Sequence, residues 1–474
     1  MAAEARGGWR ERVPALQHRD FRILWAGMFF SSATMMFQFY AQGWFILSLT
    51  GSASLLGLLG VARGAGMLTF SLYGGALADR MDRRTLLMAT QGGALAVYGL
   101  LTLLVVFDTI NLWVAFALIF VSASIESMDG PTRQALLPNL VPREHLPNAI
   151  ALFTAATISS YAFLPPMAGI AIETIGVGGA FGVSLIGHVV VIGALLMMRT
   201  KGEAPVQRDN IVRAVGRGVA YATERPRVRW IILLSLLTGT LGFPIISTLA
   251  PYWMTEVLGL DAMGWTFMGW FWGLGAVGAT VYLSMRGHSR GLGWTVIGSA
   301  AAFGLTLVLF GFTRSVPIAA VFWCLNGACF TTNMISSTSL LQMIVEAAYV
   351  GRVMSLRMVS SAFNQLAAWP LGSLADGIGV ERMVRGVATA LTVLVLAAPL
   401  ISRSARTLDA DVGRREPAGD PARKPRANVR KTKDEGRSAP AARNVTVCSP
   451  GPRHFAPGFR HGGCERGVID AVHQ

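Results

Sequence analysis

Twelve apolar stretches, most of about 20 residues or more, recur along the chain, and no other feature limits the fold as tightly. They fall at 23–47, 54–77, 85–107, 110–129, 149–172, 178–198, 230–254, 262–285, 291–312, 316–340, 353–376 and 384–402. At about 1.5 Å per residue, such lengths match the roughly 30 Å hydrocarbon core of a bilayer. Lipid offers the backbone no hydrogen-bond partner, so each stretch must be a helix. Composition agrees: with 53% of residues hydrophobic and 14% charged, the 474-residue chain lacks the polar side chains a water-facing surface needs. The expected class is an all-α membrane protein of twelve transmembrane helices.

The formal charge of +15 raises the question of nucleic acid, and its location answers it. Of 41 Lys and Arg, 15 follow residue 402, and most of the others sit in the N-terminal segment, the even-numbered loops and the connection 199–229. The odd-numbered loops hold only Arg314, Arg382 and Arg385. This is the positive-inside pattern, which places both termini and the middle connection in the cytoplasm of a plasma (inner) membrane protein. The four cysteines form neither a disulfide framework nor a metal site. No metal or cofactor is expected, and no nucleic acid partner.

The middle connection divides the helices into two sets of six. Arg199, Lys201, Arg208, Arg213, Arg217, Arg225, Arg227 and Arg229 alternate there with apolar residues, which suits either an interfacial helix or a solvated basic loop. The halves repeat one another. Gly51, Gly60 and Gly64 have counterparts in Gly259, Gly269 and Gly273; Asn148 and Pro166 have counterparts in Arg352 and Pro370. All are offset by 204 to 209 residues, so a single duplication accounts for them. Paired six-helix halves enclosing a central site characterise secondary transporters. The expected organisation is an N-terminal segment 1–22, bundles 23–198 and 230–402 joined by the linker 199–229, and a disordered basic tail 403–474.

Polar residues inside these helices are the candidates for function. Ser122, Glu126, Asp129 and Arg133 share one face of helix 4. A carboxyl at membrane depth that meets water alternately from either side can load and release a proton, which makes Glu126 the coupling candidate; a salt bridge to Arg63 or Arg133 is the structural alternative. Gln38 and Gln42 on helix 1, Asn326 and Asn333 on helix 10, and Asn364 on helix 11 are candidates to line a substrate cavity. His188, in helix 6, reads as a packing residue.

The most specific motif is Gly75-Ala-Leu-Ala-Asp79-Arg80-Met-Asp82-Arg83-Arg84, between helices 2 and 3. It resembles the signature loop of the major facilitator superfamily. The wider chain, from about residue 15 to 402, resembles the branch of enterobactin exporters and macrolide-efflux pumps, through Arg19-Asp-Phe-Arg-Ile-Leu-Trp-Ala-Gly27, Asp129-Gly-Pro-Thr-Arg-Gln-Ala-Leu-Leu-Pro138, Leu146-Pro-Asn-Ala-Ile150 and Gly351-Arg-Val-Met-Ser-Leu356. The resemblance implies a cytoplasmic gate of Gly75, Asp79, Arg80, Arg83, Asp129 and Arg133, with Asp79 at the start of helix 11 and Arg83 paired to Asp129. It also implies that helices 1, 4, 7 and 10 line the central path. The antiporter pattern Gly-Pro-x-x-Gly of helix 5 is altered here to Pro165-Pro166-Met-Ala-Gly169.

The expected function is therefore a monomeric secondary exporter of a small amphipathic molecule, driven by protons and working by alternating access. A membrane sensor derived from a transporter is the competing class, and a polytopic enzyme a weaker one. No Gly-x-Ser-x-Gly, His-Glu-x-x-His or Gly-x-x-x-x-Gly-Lys motif is present, which removes common hydrolases and an ATP-driven pump on one chain.

Overall fold

In a computed structural model of the chain, residues 13–78, 81–200, 211–286 and 291–408 are described, and nearly all of them are helical. Eight helices are long and apolar enough to be recognised as crossings from length and composition alone. The others, Arg19–Thr50, Ala53–Ala78, Ala262–Arg286 and the pair Ala347–Leu366 and Ala368–Ile378, carry the contacts at which the two halves meet. Twelve membrane spans result. They are numbered here in chain order, and the side on which span 1 begins is called the terminal face and the other the distal face.

Local chemistry sets the ends of the spans. Span 1 (Arg19–Thr50) stops at Gly51, whose φ of 58° sends the chain back toward span 2 (Ala53–Ala78). Asp82 caps span 3 (Arg83–Val106), its carboxylate accepting the Thr85 N–H. Those hydrogen bonds to Thr85 hold the Asp82 carboxyl below its ordinary range, so it is an anion on the positive end of the helix. Span 4 is two helices, Leu112–Glu126 and Asp129–Leu140, separated at Ser127 and Met128. Span 5 begins as Leu146–Phe163, continues into Pro165–Met197, and turns at Gly176 (φ 73°) to become span 6.

The second half repeats the plan. Span 7 starts at Pro226 and contains a π-turn, Thr238–Gly242, before ending as Ala250–Glu256. Spans 8, 9 and 10 are Ala262–Arg286, Leu292–Phe310 and Val316–Ile344. Ala347–Leu366 and Ala368–Ile378 make span 11, and Val380–Ile401 is span 12. Helical order extends past residue 402: Arg403–Arg406 forms a further turn, and Ala405 and Leu408 are buried. The rest of the tail, 409–474, lies outside the described residues, as do 1–12 and the basic stretch 201–210.

In lipid, helices associate by close packing of small residues, since apolar tails give no hydrophobic drive between them. The repeated glycines supply that packing. A Cβ on Gly60 would lie 2.7 Å from the Gln365 carbonyl oxygen of span 11. One on Gly273 would lie 2.0 Å from the Tyr161 carbonyl oxygen of span 5. Spans 2 and 8 thus occupy equivalent places, each holding the opposite half at contact distance. At the distal end of span 2, Asp376 of span 11 accepts hydrogen bonds from the Ser52 hydroxyl and the Ala53 and Ser54 amides at 2.8–2.9 Å.

The linker contains the helix Ile211–Glu224. It lies against the terminal end of span 11, with Tyr221 stacked on Tyr349 at 4.5 Å and Gly218 against the Arg352 backbone. Arg225, just beyond it, pairs with Glu346.

Candidate functional site

A cavity of about 220 Å³ opens among spans 1 to 4, with Gln365 of span 11 on its far wall. Its apolar walls are Met35, Phe39, Met67, Tyr98 and Ile119; its polar atoms come from Gln38, Gln42, Arg63, Ser122, Glu126 and Gln365. A buried polar group is stable only when its hydrogen bonds are met, and a buried charge only when compensated. The Arg63 Nε donates to Gln42 at 2.8 Å, one terminal nitrogen donates to the Phe39 carbonyl, and the guanidinium lies 4.9 Å from the Phe39 ring. Gln42 in turn donates to the Tyr98 hydroxyl at 2.9 Å. Glu126 stands beside Tyr98, and Arg63 attracts it electrostatically. Glu126 is the last residue of its helix, where span 4 breaks, so its carboxylate sits at the edge of the cavity.

Gln38, Gln42 and Glu126 therefore share one chamber. Asn326 and Asn333 do not join them. Both turn toward span 9: the Asn333 Nδ2 donates to the Val296 carbonyl at 2.9 Å, and the Asn326 Nδ2 to Thr306 at 3.2 Å. Their spacing puts these amides on one face of span 10 but cannot say which neighbour that face meets; carbonyl and hydroxyl acceptors on span 9 are what they find there. Asn364 packs against Gly239, in the π-turn of span 7, and does not line the chamber either.

The expected gate is described only in part. Gly75 lies in span 2, while Asp79 and Arg80 fall outside the described residues. Arg83 does not pair with Asp129. It donates to the Ala135 carbonyl and, at 3.1 Å, to Asn139. Arg83 opens span 3 at the terminal face, level with the end of span 4, whereas Asp129 lies opposite Gln91, about two turns deeper. At that depth its partners are Arg133, at 2.5 Å, and Gln91, at 2.9 Å. The altered helix 5 motif keeps its second glycine in close contact, because a Cβ on Gly169 would lie 1.9 Å from the Thr266 hydroxyl.

His188 is more than packing. It is buried, stacked on Tyr98 at 5.9 Å, and within 2.9 Å of both Gln38 and Gln91. Two polar residues in apolar helices were the available signal, since such groups are costly in lipid and are kept for a reason. Reading His188 as a packing residue hid it.

Residues 12–425 match the family described as transmembrane secretion effectors. The chain belongs to that family, within the major facilitator superfamily. It is 25% identical to the multidrug efflux pump Tap of Mycolicibacterium fortuitum, over 76% of this chain and 90% of that protein. It is 22% identical to macrolide efflux protein A of Streptococcus pyogenes, over 81% and 96%. It is also 25% identical to the enterobactin exporter EntS of Shigella boydii, over 72% and 81%. Among solved structures, a POT family transporter bound to 5-aminolevulinic acid has a TM-score of 0.67 at 14% identity, covering 82% of this chain and 97% of its own. A bacterial homologue of the lysosomal transporter Spinster, inward-facing and unoccupied, has 0.65 at 14% identity, covering 83% and 98%. These likenesses in structure carry the fold alone. With the family match and the efflux relatives, they make this chain a multi-pass membrane transporter and not an enzyme.

Proposed function

We propose that this family member is a proton-coupled secondary exporter of small amphipathic molecules in the bacterial plasma membrane, with both termini in the cytoplasm. One observation carries the coupling: a carboxyl group, Glu126, lines a mid-bundle chamber with apolar walls that it shares with Arg63, whose hydrogen bonds go to Gln42 and Phe39. Moving between dry and wet surroundings changes how strongly such a group holds a proton. A rocking motion about spans 2 and 11 and spans 5 and 8 supplies that alternation. The chamber's methionines and rings suit an apolar body, and its amides orient a polar end. Efflux by Tap and macrolide efflux protein A supports the outward direction. Residues Gly75, Asp79, Arg80, Arg83, Asp129 and Arg133 form the cytoplasmic gate in this reading, and the protein acts as a monomer.

In inverted vesicles, a macrolide or a catechol siderophore that the wild type accumulates is expected to be lost to background accumulation in Glu126→Gln. Counterflow of the same compound in proteoliposomes persists, because exchange needs no net proton movement. Undiminished gradient-driven uptake by Glu126→Gln would remove Glu126 from the mechanism.

A further inference from the structure

A second buried network leaves the chamber on its span 1 wall and runs toward the terminal face. It links Gln38, His188, Gln91, Asp129 and Arg133, drawn from spans 1, 6, 3 and 4, with successive contacts of 2.9, 2.9, 2.9 and 2.5 Å. Its donors and acceptors can be assigned from both ends. Arginine has no acceptor, so the Arg133 Nε–H must point at Asp129, and an ionised carboxylate only accepts. Gln91 therefore turns its NH₂ to Asp129 and its carbonyl oxygen to His188. A carbonyl oxygen cannot donate, so the His188 Nδ1 carries the proton. At the other end, the Ser184 hydroxyl proton is spent on the Phe181 carbonyl, leaving its oxygen as an acceptor for the Gln38 NH₂ at 3.4 Å. That same NH₂ then faces the His188 Nε2, which must be bare. The two assignments were made independently and agree on one tautomer.

Every bond in the chain thus points the same way, toward the Asp129 carboxylate, and cannot be reversed singly. We propose that Gln91 and His188 are positioning residues that carry the charge state of Asp129 to Gln38 on the cavity wall. If Asp129 becomes neutral, by a proton or by substitution with Asn, Arg133 keeps the remaining oxygen acceptor and the other atom becomes a donor aimed at Gln91. Gln91 turns over, presents its NH₂ to the His188 Nδ1, and moves the imidazole proton to Nε2. Gln38 must then offer its carbonyl oxygen to His188 and release Ser184, so the amide edge facing the chamber changes. No bond is made or broken beyond hydrogen bonds and the relocation of one imidazole proton through solvent or substrate. The titratable and charged groups facing His188 are Tyr98 from span 3 and Asp129 and Arg133 from span 4; span 1 offers it only neutral Gln38. Asp129 keeps 17% of its side chain exposed, while Arg133 is buried at 5%.

This inference rests on the transport reading for its meaning but not for its test. Nitrogen-15 spectra of histidine-labelled protein in lipid nanodiscs report the tautomer directly. The chain has seven histidines, so His188 is assigned from the signal lost in His188→Gln, or from a protein in which the others are replaced. At a pH where His188 is neutral, the wild type is expected to show a protonated Nδ1 and a bare Nε2, and Asp129→Asn the reverse. The side-chain amide of Gln38 is expected to shift between the two proteins, while that of Gln42, held by Arg63 and Tyr98, stays in place. A protonated Nε2 in the wild type overturns the proposal, as does one tautomer common to both proteins or a Gln38 signal indifferent to Asp129. Glu126→Gln serves as the separating control: it bears on coupling and is expected to leave this tautomer unchanged.

Discussion

The two halves share one architecture and divide its chemistry unequally. In the N-terminal half, the interior carries Arg63, Glu126, Asp129, Arg133 and His188; Gln42 joins Arg63 to Tyr98, Gln91 joins His188 to Asp129 and Arg133, and Glu126 lines the chamber beside them. In the C-terminal half, the fully buried polar groups among the described residues are hydroxyls and amides, such as Thr306, Asn326, Asn333 and Ser337, and a partly buried cation, Arg357 of span 11, donates to Ser337 at 2.9 Å. Carried across at the offset that relates the halves, Glu126 falls on the turn of span 10 that holds Asn333, and His188 falls near Thr392 of span 12. The amide bonds a neighbouring backbone carbonyl, and so does the threonine. Duplication preserved the helix-packing glycines, whose job is the same in both halves. It did not preserve the carboxylates: the interior charge of the second half is the Arg357 cation. The carboxylates and the imidazole thus lie in the first half, and the second faces them with amides, hydroxyls and the Arg357 guanidinium.

Breaking the buried charge network is the strongest way to test that division. Arg133→Leu leaves the Asp129 carboxylate with Gln91 as its remaining partner, at a depth where water reaches it poorly. Removing one member of a buried pair typically costs about 3–5 kcal/mol, and the partial exposure of Asp129 lowers the expectation to about 2–3 kcal/mol. Thermal unfolding in detergent should show the largest fall of any substitution discussed here. The double variant Asp129→Asn with Arg133→Leu should recover most of that loss, since a neutral pair carries no uncompensated charge. A double variant as unstable as Arg133→Leu alone would mean that Arg133 acts by packing, and the contrast between the halves would lose its electrostatic basis.

Most of the fold was legible in the sequence because lipid imposes it: length, hydropathy and the alternation of basic loops require helices that cross. The repeated glycines were legible for a similar reason, since close backbone approach tolerates few alternatives. The chamber was half legible. Gln38, Gln42 and Glu126 lie on the inward faces that periodicity gave them. Asn326 and Asn333 misled, because an amide in an apolar helix announces that it needs a partner without naming which neighbouring helix provides it. Arg83 and Asp129 misled for another reason. Their pairing depends on relative depth in two different helices, and although Gly130 and Pro131 mark the break at Ser127 and Met128, since a proline has no N–H for the Ser127 carbonyl, they do not say how deep Asp129 lies. His188 and Gln91 were readable as polar intruders, but their connection spans four helices and exists only in three dimensions.

A smaller effect concerns the distal face, where the halves again differ. The start of span 8 caps itself, the Gly264 amide donating to Asp261 at 2.7 Å. The start of span 2 is capped across the interface by Asp376 of span 11. Under the proposed rocking motion, the cross-half cap would have to break for this face to open, whereas the self-cap lies within one half. Asp376→Ala removes three charge-assisted hydrogen bonds from an exposed site, where solvent screening leaves about 1 kcal/mol, or roughly a fivefold shift toward opening. Spin labels at positions 108 and 313, in loops of opposite halves on this face, should show a larger share of long distances in Asp376→Ala. Asp261→Ala should lower stability slightly and leave the distance distribution as it was. Equal changes in the two variants would show that the cross-half contact does not latch anything.

The smallest effect expected is in the C-terminal half, and its sign is informative. The Asn326 Nδ2 makes only long hydrogen bonds, 3.2 Å to Thr306 and 3.4 Å to the Phe303 carbonyl, and its Oδ1 is buried without a hydrogen-bond partner. Thr306 already donates to that carbonyl at 2.9 Å, so removing Asn326 strands neither acceptor. Asn326→Leu replaces a half-satisfied amide with an apolar group of similar size among apolar neighbours. The bonds lost are worth about 1 kcal/mol at most, and relief of the unpaired oxygen offsets them. The melting temperature should stay level or rise, with transport and its gradient dependence unchanged. If stability holds while transport fails, the unpaired oxygen is waiting for a partner that arrives only when the halves rock or the chamber fills. The second half would then contribute chemistry of its own, and the division drawn between the halves would have to be redrawn through span 10.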